Sequence, residues 1–286
     1  MFSQISPGPK GQPMRPSRSC LPAGYLVDHA GTLELAVELA DAARTLRPVQ
    51  PLSERYPEFT VDDAYEVQQA QLSAQAQAGH RLVGHKIGLT SLAMQRQLGI
   101  DSPDYGYLLH EMLWKSNDTI PGNAFIQPRV EPEIAFIMGD DVYQKSPTRE
   151  QLTASIRSVA PAIEVIDSRI EGWRIKLVDT IADNASSAAV VLGQQVAWAE
   201  APELSEVGCA LYCDDELVAE GLGSAVMGDP LNALAWLARL LAGKGRRLKR
   251  DEVVIPGALT AAIPVASGAT VRATFASIGE VTCTFK

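Results

Sequence analysis

The residues that most constrain this chain are two glutamates set in an apolar run, Gln127-Pro128-Arg129-Val130-Glu131-Pro132-Glu133-Ile134-Ala135-Phe136-Ile137-Met138. The run reads as a β-strand, whose side chains alternate between two faces. Val130, Ile134, Phe136 and Met138 share one face. Glu131 and Glu133 share the other, which Ala135 and Ile137 continue as apolar. Two carboxylates so placed repel each other and resist burial. An edge strand with a solvated acidic face would answer this, and so would a divalent cation, which favours carboxylate oxygens. A second apolar run, Pro161-Ala162-Ile163-Glu164-Val165-Ile166-Asp167, carries a lone glutamate in its middle and favours the cation. Charged residues are rarely buried without a partner. Two such strands that converge would set Glu131, Glu133 and Glu164 around one metal ion and leave positions for water or substrate.

Composition narrows the function classes. The 286 residues are 46% hydrophobic and 21% charged, enough for one large core or a small domain beside a larger one. A net charge of −9 and a pI of about 5.0, without a basic cluster, argue against nucleic acid and anionic membranes as partners. No apolar run approaches the ~20 residues needed to span a bilayer. Cys20, Cys209, Cys213 and Cys283 form no CxxC pair, so a reducing cytoplasm is the expected compartment. Residues 1–23 hold Pro7, Pro9, Pro13, Pro16 and Pro22 and lack the apolar core of a secretory signal; they are expected to be a disordered leader.

Helices are expected over 32–46 and, capped by Thr60, over 61–78, which makes residues 24–80 a small helical N-terminal region. A short strand over 82–89 contains Lys86. A helix follows from Thr90-Ser91 to about Leu98, then a turn-rich loop over 99–106. After the first glutamate strand come a helix over 148–159 and the Glu164 strand. A strand over 188–193, a hairpin over 208–220, a helix from Asp229-Pro230 to Gly243, a strand over 253–255 and a terminal hairpin over 270–285 complete the chain. No GxGxxG follows a strand and no P-loop is present. Regular βαβ alternation is missing too, so residues 81–286 are expected to form an α+β fold around a curved, mixed sheet.

Other residues could carry chemistry. Lys86 interrupts an apolar strand, where an unpaired ammonium is costly. It could pair with a surface carboxylate, or complement the metal carboxylates or a substrate carboxylate. Asp104, in Pro103-Asp104-Tyr105-Gly106, reads alone as a turn former. Asp183-Asn184-Ala185-Ser186 could be a plain turn or a hydrogen-bonding pocket wall. The backbone N–H groups of Gly257-Ala258-Leu259-Thr260 and the Thr260 hydroxyl could hold a carboxylate. No histidine shows ligand spacing, and no GxSxG elbow appears.

Taken in order, Gly84-His85-Lys86-Ile87-Gly88-Leu89-Thr90-Ser91, Pro103-Asp104-Tyr105-Gly106, Gln127 to Glu133, Trp173-Arg174-Ile175-Lys176-Leu177-Val178-Asp179 and Asp183-Asn184-Ala185-Ser186 resemble the 2-keto-4-pentenoate hydratase (2-hydroxypenta-2,4-dienoate hydratase) family. That family lies within the fumarylacetoacetate hydrolase-like superfamily, and the likeness spans roughly residues 30–286. The resemblance implies a mixed β-roll with a helical N-terminal region. It implies Mg²⁺ or Mn²⁺ on Glu131, Glu133 and Glu164, with Lys86 and Asp104 as catalytic residues and Ser186 and Thr260 near the substrate. It further implies a homo-oligomer, commonly built on five-fold rings, acting in catabolism of aromatic compounds or steroids after ring cleavage. The related 4-oxalocrotonate decarboxylases share the glutamates, the lysine and the Asp183–Ser186 stretch, and are the alternative. They tend to carry an aliphatic residue where this chain has Asp104. The chain departs from the family pattern at Gly228-Asp229-Pro230, where histidine or asparagine is usual; Asp229 reads plainly as a helix cap.

Overall fold

The computed structural model describes residues 29–91, 95 and 102–286. Helices α1 (His29–Thr45), α2 (Leu52–Arg55) and α3 (Val61–Gln77) open the described chain. The third starts at a capping box in which Thr60 and Asp63 satisfy each other's backbone N–H groups. Leu35, Leu39, Leu52, Phe59 and Val67 from this region share one apolar cluster with Ile170 and Ile181.

Strands β1 (Leu82–Gly88), β2 (Asp104–Leu109), β3 (Leu113–Lys115), β4 (Thr119–Ile120) and β5 (Arg129–Met138) follow. Then come α4 (Arg149–Ala154), β6 (Ile156–Ile166), α5 (Leu177–Ala182), β7 (Ser187–Leu192), β8 (Val196–Ala197), β9 (Gly208–Cys213) and β10 (Glu216–Leu222). The chain closes with α6 (Pro230–Gly243), β11 (Val253–Ile255), β12 (Ile263–Pro264), β13 (Thr270–Phe275) and β14 (Gly279–Phe285).

The larger sheet runs β2-β1-β11-β5-β6-β7-β3, with β12 beside β5 and β8 beside β6. It is mixed: β1–β11 and β3–β7 are parallel pairs, and β5 and β6 are antiparallel. A second sheet, β10-β9-β13-β14-β4, packs on one face of the first. Phe136, Val159 and Val165 meet Leu211, Val271, Val281 and Phe285 there, with Leu234, Leu237 and Leu241 of α6 in the same core. On the other face Leu108, Ala135, Ala162, Val190, Val253 and Ile255 form a separate cluster from five strands. A flat sheet could not bring β2 and β7 into one cluster; this one curls, and its concave face holds the glutamates. This is the curved mixed β-roll with a helical N-terminal region that the sequence predicts.

Two expectations are corrected. The helix predicted over 148–159 stops at Ala154. From Ile156 the chain is strand, pairing with β5 from Met138↔Ile156 to Arg129↔Ile166, so tertiary pairing overrides the local helical pattern. Asp104, Tyr105 and Gly106 lie in β2 and not in a turn, each paired with a residue of β1. The predicted leader and most of the predicted 90–98 helix lie outside the described residues, as does the loop up to residue 101. Asp229 caps α6, its carboxylate accepting from the N–H of Leu231 (2.9 Å).

Candidate metal centre

Register creates the carboxylate cluster. Glu131 on β5 is directly paired with Glu164 on β6, and Glu133 lies two residues further along the same face. One oxygen from each carboxylate can be chosen so that all lie within 4.8 Å of one another. Glu133 and Glu164 are fully buried and Glu131 is half-buried.

The other side of β5 explains how Glu133 is held. β11 pairs with β5 at Phe136 and Ile137, and β12 at Arg129 and Val130. Between them β5 has no strand neighbour on that side. Pro132, which has no N–H to give a ladder, occupies this gap. The loop after β11 fills it: Leu259 N–H donates to the Pro132 carbonyl (3.0 Å) and Gly257 N–H to Glu133 Oε2 (2.7 Å). Gly257 has φ +125°, and a Cβ there would lie 1.9 Å from Thr90 Oγ1, so the turn needs glycine. The predicted carboxylate-holding loop therefore does hold a carboxylate, that of Glu133. Thr260 lies in the same loop, with its hydroxyl donating to the Ala261 carbonyl (3.0 Å).

Lys86 and Asp104 complete the cluster from β1 and β2. Lys86 is 4% exposed; its Nζ is 3.3 Å from Glu164 Oε2 and donates to the Ala185 carbonyl (3.0 Å). That carbonyl is aimed by a turn in which Asn184, Ala185 and Ser186 all have positive φ, from 50° to 54°. Such a run is rare for non-glycine residues and persists only when its surroundings hold it. The Asn184 side chain bonds both the N–H and the carbonyl of Tyr107 (2.8 and 3.0 Å). Arg169 and Asp183 anchor its start. The Ser186 hydroxyl is buried and unpartnered among the described residues. Asp104 is 2% exposed; Thr180 Oγ1 donates to its Oδ2 (2.7 Å), and its Oδ1 has no hydrogen bond among the described residues. Gly88, paired with Asp104, makes room: a Cβ there would lie 2.2 Å from Asp104 Oδ1 and 3.3 Å from Lys86 Nζ.

Burial and mutual repulsion set the electrostatics. Desolvation pushes the Glu131 carboxyl up to about 7, against the pull of Lys86. Glu133 is raised well above the usual range by burial and by the charges of Glu164 and Glu131. Glu164 and Asp104 are also raised, chiefly by burial. Burial alone would depress Lys86, but the surrounding carboxylates outweigh it and hold its ammonium above the ordinary value. His85, next in sequence to Lys86, faces away from the cluster toward Tyr105 and Glu252, and burial lowers it to about 3.

The donor set fits a divalent ion. Glu133 Oε1 and Glu164 Oε1 are buried with no hydrogen bond among the described residues, and Glu164 Oε2 has the Lys86 ammonium at 3.3 Å. Buried acceptors are normally satisfied, and oxygens so placed suit a divalent cation. Thr180, Gly88 and Arg169 escape sequence reading as parts of this site. Each acts through a contact distant in sequence, and only Gly88 leaves a trace, as a small residue near a charged one.

Residues 84–286 match the fumarylacetoacetate (FAA) hydrolase C-terminal family. A 2-keto-4-pentenoate hydratase from Paraburkholderia xenovorans (strain LB400) is 40% identical over 253 residues, 88% of this chain and 94% of its own. A 2-hydroxyhexa-2,4-dienoate hydratase from Comamonas testosteroni is 38% identical over 80% of this chain and 88% of its own. Among solved structures, 4-oxalocrotonate decarboxylase from Pseudomonas putida G7, complexed with magnesium and adipate, superposes with a TM-score of 0.88 at 30% identity, covering 91% of this chain and 99% of its own. With its curled mixed sheet and its carboxylate cluster, the chain belongs to the 2-keto-4-pentenoate hydratase family of the fumarylacetoacetate hydrolase superfamily.

Proposed function

We propose that the protein is a metal-dependent hydro-lyase that adds water to 2-hydroxypenta-2,4-dienoate, giving 4-hydroxy-2-oxopentanoate. The observation that carries the reading is Asp104: a buried carboxylate with one oxygen held by Thr180 and the other free, beside Lys86 and the glutamates. Glu131, Glu133 and Glu164 would hold Mg²⁺ or Mn²⁺, which supplies Lewis acidity toward the C1 carboxylate and C2 oxygen of the substrate. Lys86 acts as a fixed positive charge where the C2 oxygen becomes more negative, and is assigned to proton transfer near the substrate. The dienol loses its hydroxyl proton and gains one at C5, forming the α,β-unsaturated ketone. Asp104 then orients a water and takes its proton as the oxygen adds at C4; C3 is protonated to complete the product. Burial raises the Asp104 carboxyl above its usual range, which makes it a stronger base. Ser186 and Thr260 are assigned to substrate contact.

The similarity to relatives named for dienoate hydration supports this reading. We further take the enzyme to act after ring cleavage of an aromatic or steroid compound, as a homo-oligomer. The decarboxylase is the second reading, favoured by the superposition at 30% identity and by the shared glutamates, lysine and Asp183–Ser186 stretch. It requires a second carboxylate at the far end of the substrate, where a buried Asp104 would repel it. The test runs two assays in parallel, with Mg²⁺ and after chelation: hydration of 2-hydroxypenta-2,4-dienoate and carbon dioxide release from 2-oxo-3-hexenedioate. Hydration restored by Mg²⁺ is expected. Carbon dioxide release without hydration would replace the proposal with the second reading.

A further inference from the structure

Arg129 opens β5 two residues before Glu131, so alternation puts it on the same face as Glu131 and Glu133, roughly 7 Å along the strand from the nearer. Among the described residues it makes no ion pair within 4 Å and no side-chain hydrogen bond, although its charge is felt at Glu131. Its contact is the indole of Trp173, with the guanidinium carbon 4.5 Å from the ring centroid. The indole is itself fixed, since its Nε1–H donates to the Gln127 carbonyl (3.0 Å). Trp173 has φ +56° after Gly172 at +62°, an unusual conformation for so bulky a residue and one that marks functional sites. A stacked guanidinium keeps its N–H groups in plane and free to grip a carboxylate with two parallel bonds.

Charge balance says what those groups are for. Three glutamates and Asp104 face Lys86, and Lys86 is already engaged by Glu164 and the Ala185 carbonyl. A divalent ion leaves that group net negative, so an anionic substrate needs a further cation. We infer that Arg129, held by Trp173, is a specificity residue that binds a carboxylate of the 2-oxo acid substrate. This rests on the proposed function for the substrate class, though its test does not require turnover.

The test measures binding of two matched probes to Mg²⁺-loaded protein by calorimetry: 2-oxohexanoate, and 2-oxoadipate, which differs by its far carboxylate. Arg129→Gln is expected to weaken at least one probe tenfold or more, to leave Mg²⁺ affinity undiminished and to raise KM more than it lowers kcat. Arg129→Lys is expected to restore affinity in part, because charge returns without the paired geometry. Loss with both probes assigns Arg129 to the C1 carboxylate. Loss with 2-oxoadipate alone assigns it to a far carboxylate, which 2-hydroxypenta-2,4-dienoate lacks, and so keeps the inference while favouring the decarboxylase over the proposed function. Both probes bound within twofold of wild type by folded Arg129→Gln would overturn the inference. Should that variant not fold, Arg129→Lys carries the test, and unchanged affinity for both probes would overturn it equally. Neither probe is hydrated, so a protein that fails to hydrate the dienoate yet binds these probes through Arg129 would sink the proposed function and leave this inference standing.

Discussion

Two buried charge clusters lie at either end of the Asp183–Ser186 turn, and they are completed in opposite ways. At one end, Arg169 Nε and Nη2 meet the Asp183 carboxylate and carbonyl, while Nη1 reaches the carbonyls of Asp167 and Ser187 (2.6 and 3.2 Å). Asp183 Oδ2 also accepts the backbone N–H of Arg169 (3.0 Å). Nothing in this pair is left unsatisfied. At the other end, Lys86 faces Glu131, Glu133, Glu164 and Asp104, and several carboxylate oxygens have no hydrogen bond among the described residues. A buried pair that serves only the fold must be saturated, since a lone buried charge costs several kcal/mol. A cluster that is buried and unsaturated is expensive to the fold and is retained for what it binds. The saturated pair also serves the other cluster, because it anchors the turn that offers the Ala185 carbonyl to Lys86.

The contrast can be broken from either side. The largest effect is expected at the saturated pair. Asp183→Asn should cost ~3–5 kcal/mol, the price of stranding a buried guanidinium, out of a total stability of ~5–15 kcal/mol. Denaturant unfolding would show a lowered midpoint, and a midpoint near wild type would mean the pair is not the anchor described. Next is Glu164→Gln, expected to keep a folded protein while Mg²⁺-dependent turnover falls below about 1% of wild type, beyond the ~10–100-fold typical of residues behind the ligands. Full activity at limiting Mg²⁺ would remove Glu164 from the metal set.

Asp104→Asn should lower the hydration kcat by about 10²-fold or more, within the range for general base catalysis. Mg²⁺ affinity should barely change. Deuterium exchange into C5 should survive better than hydration; if both fall together, Asp104 serves protonation and not water.

The smallest effect is a pH dependence. Glu133 is held well above 4.5 in the folded chain, so between its unfolded and folded values the native state binds the extra proton. Stability from this group is then present at low pH and lost as pH rises through the window. In metal-free protein Glu133→Gln should therefore raise Tm at pH 7.5 and raise it less at pH 5. An equal shift at both pH values would mean that the carboxyl is not perturbed.

The carboxylate cluster was legible because a glutamate inside a run such as Ile163-Glu164-Val165 breaks the apolar pattern of its own strand. That signal is local. The convergence of three such residues follows from strand register, which alternation on each strand allows but does not specify. The strand placement of Asp104 is not legible, because Pro103-Asp104-Tyr105-Gly106 carries strong turn chemistry and only pairing with β1 reveals a strand. The helix over 148–159 was overextended for the same reason: Ile156 and Val159 fit a helical spacing, but β5 claims them. Thr180, Arg169 and Arg129 act through partners on other elements, and nothing in their neighbours marks them.

In a metal site built on the three glutamates, burial would keep protons on Glu131 and Glu133 until a cation arrives. Metal binding to such a site must release those protons. The direct measurement is calorimetric titration of Mg²⁺ into chelator-treated protein at pH 6, repeated in buffers of different ionisation enthalpy. With Glu131 held at about 7 and Glu133 well above its usual range, binding should release on the order of one proton or more, and fewer from Glu133→Gln. Mg²⁺ binding whose heat is independent of buffer, or the same proton release from Glu131→Gln and Glu133→Gln as from wild type, would contradict it.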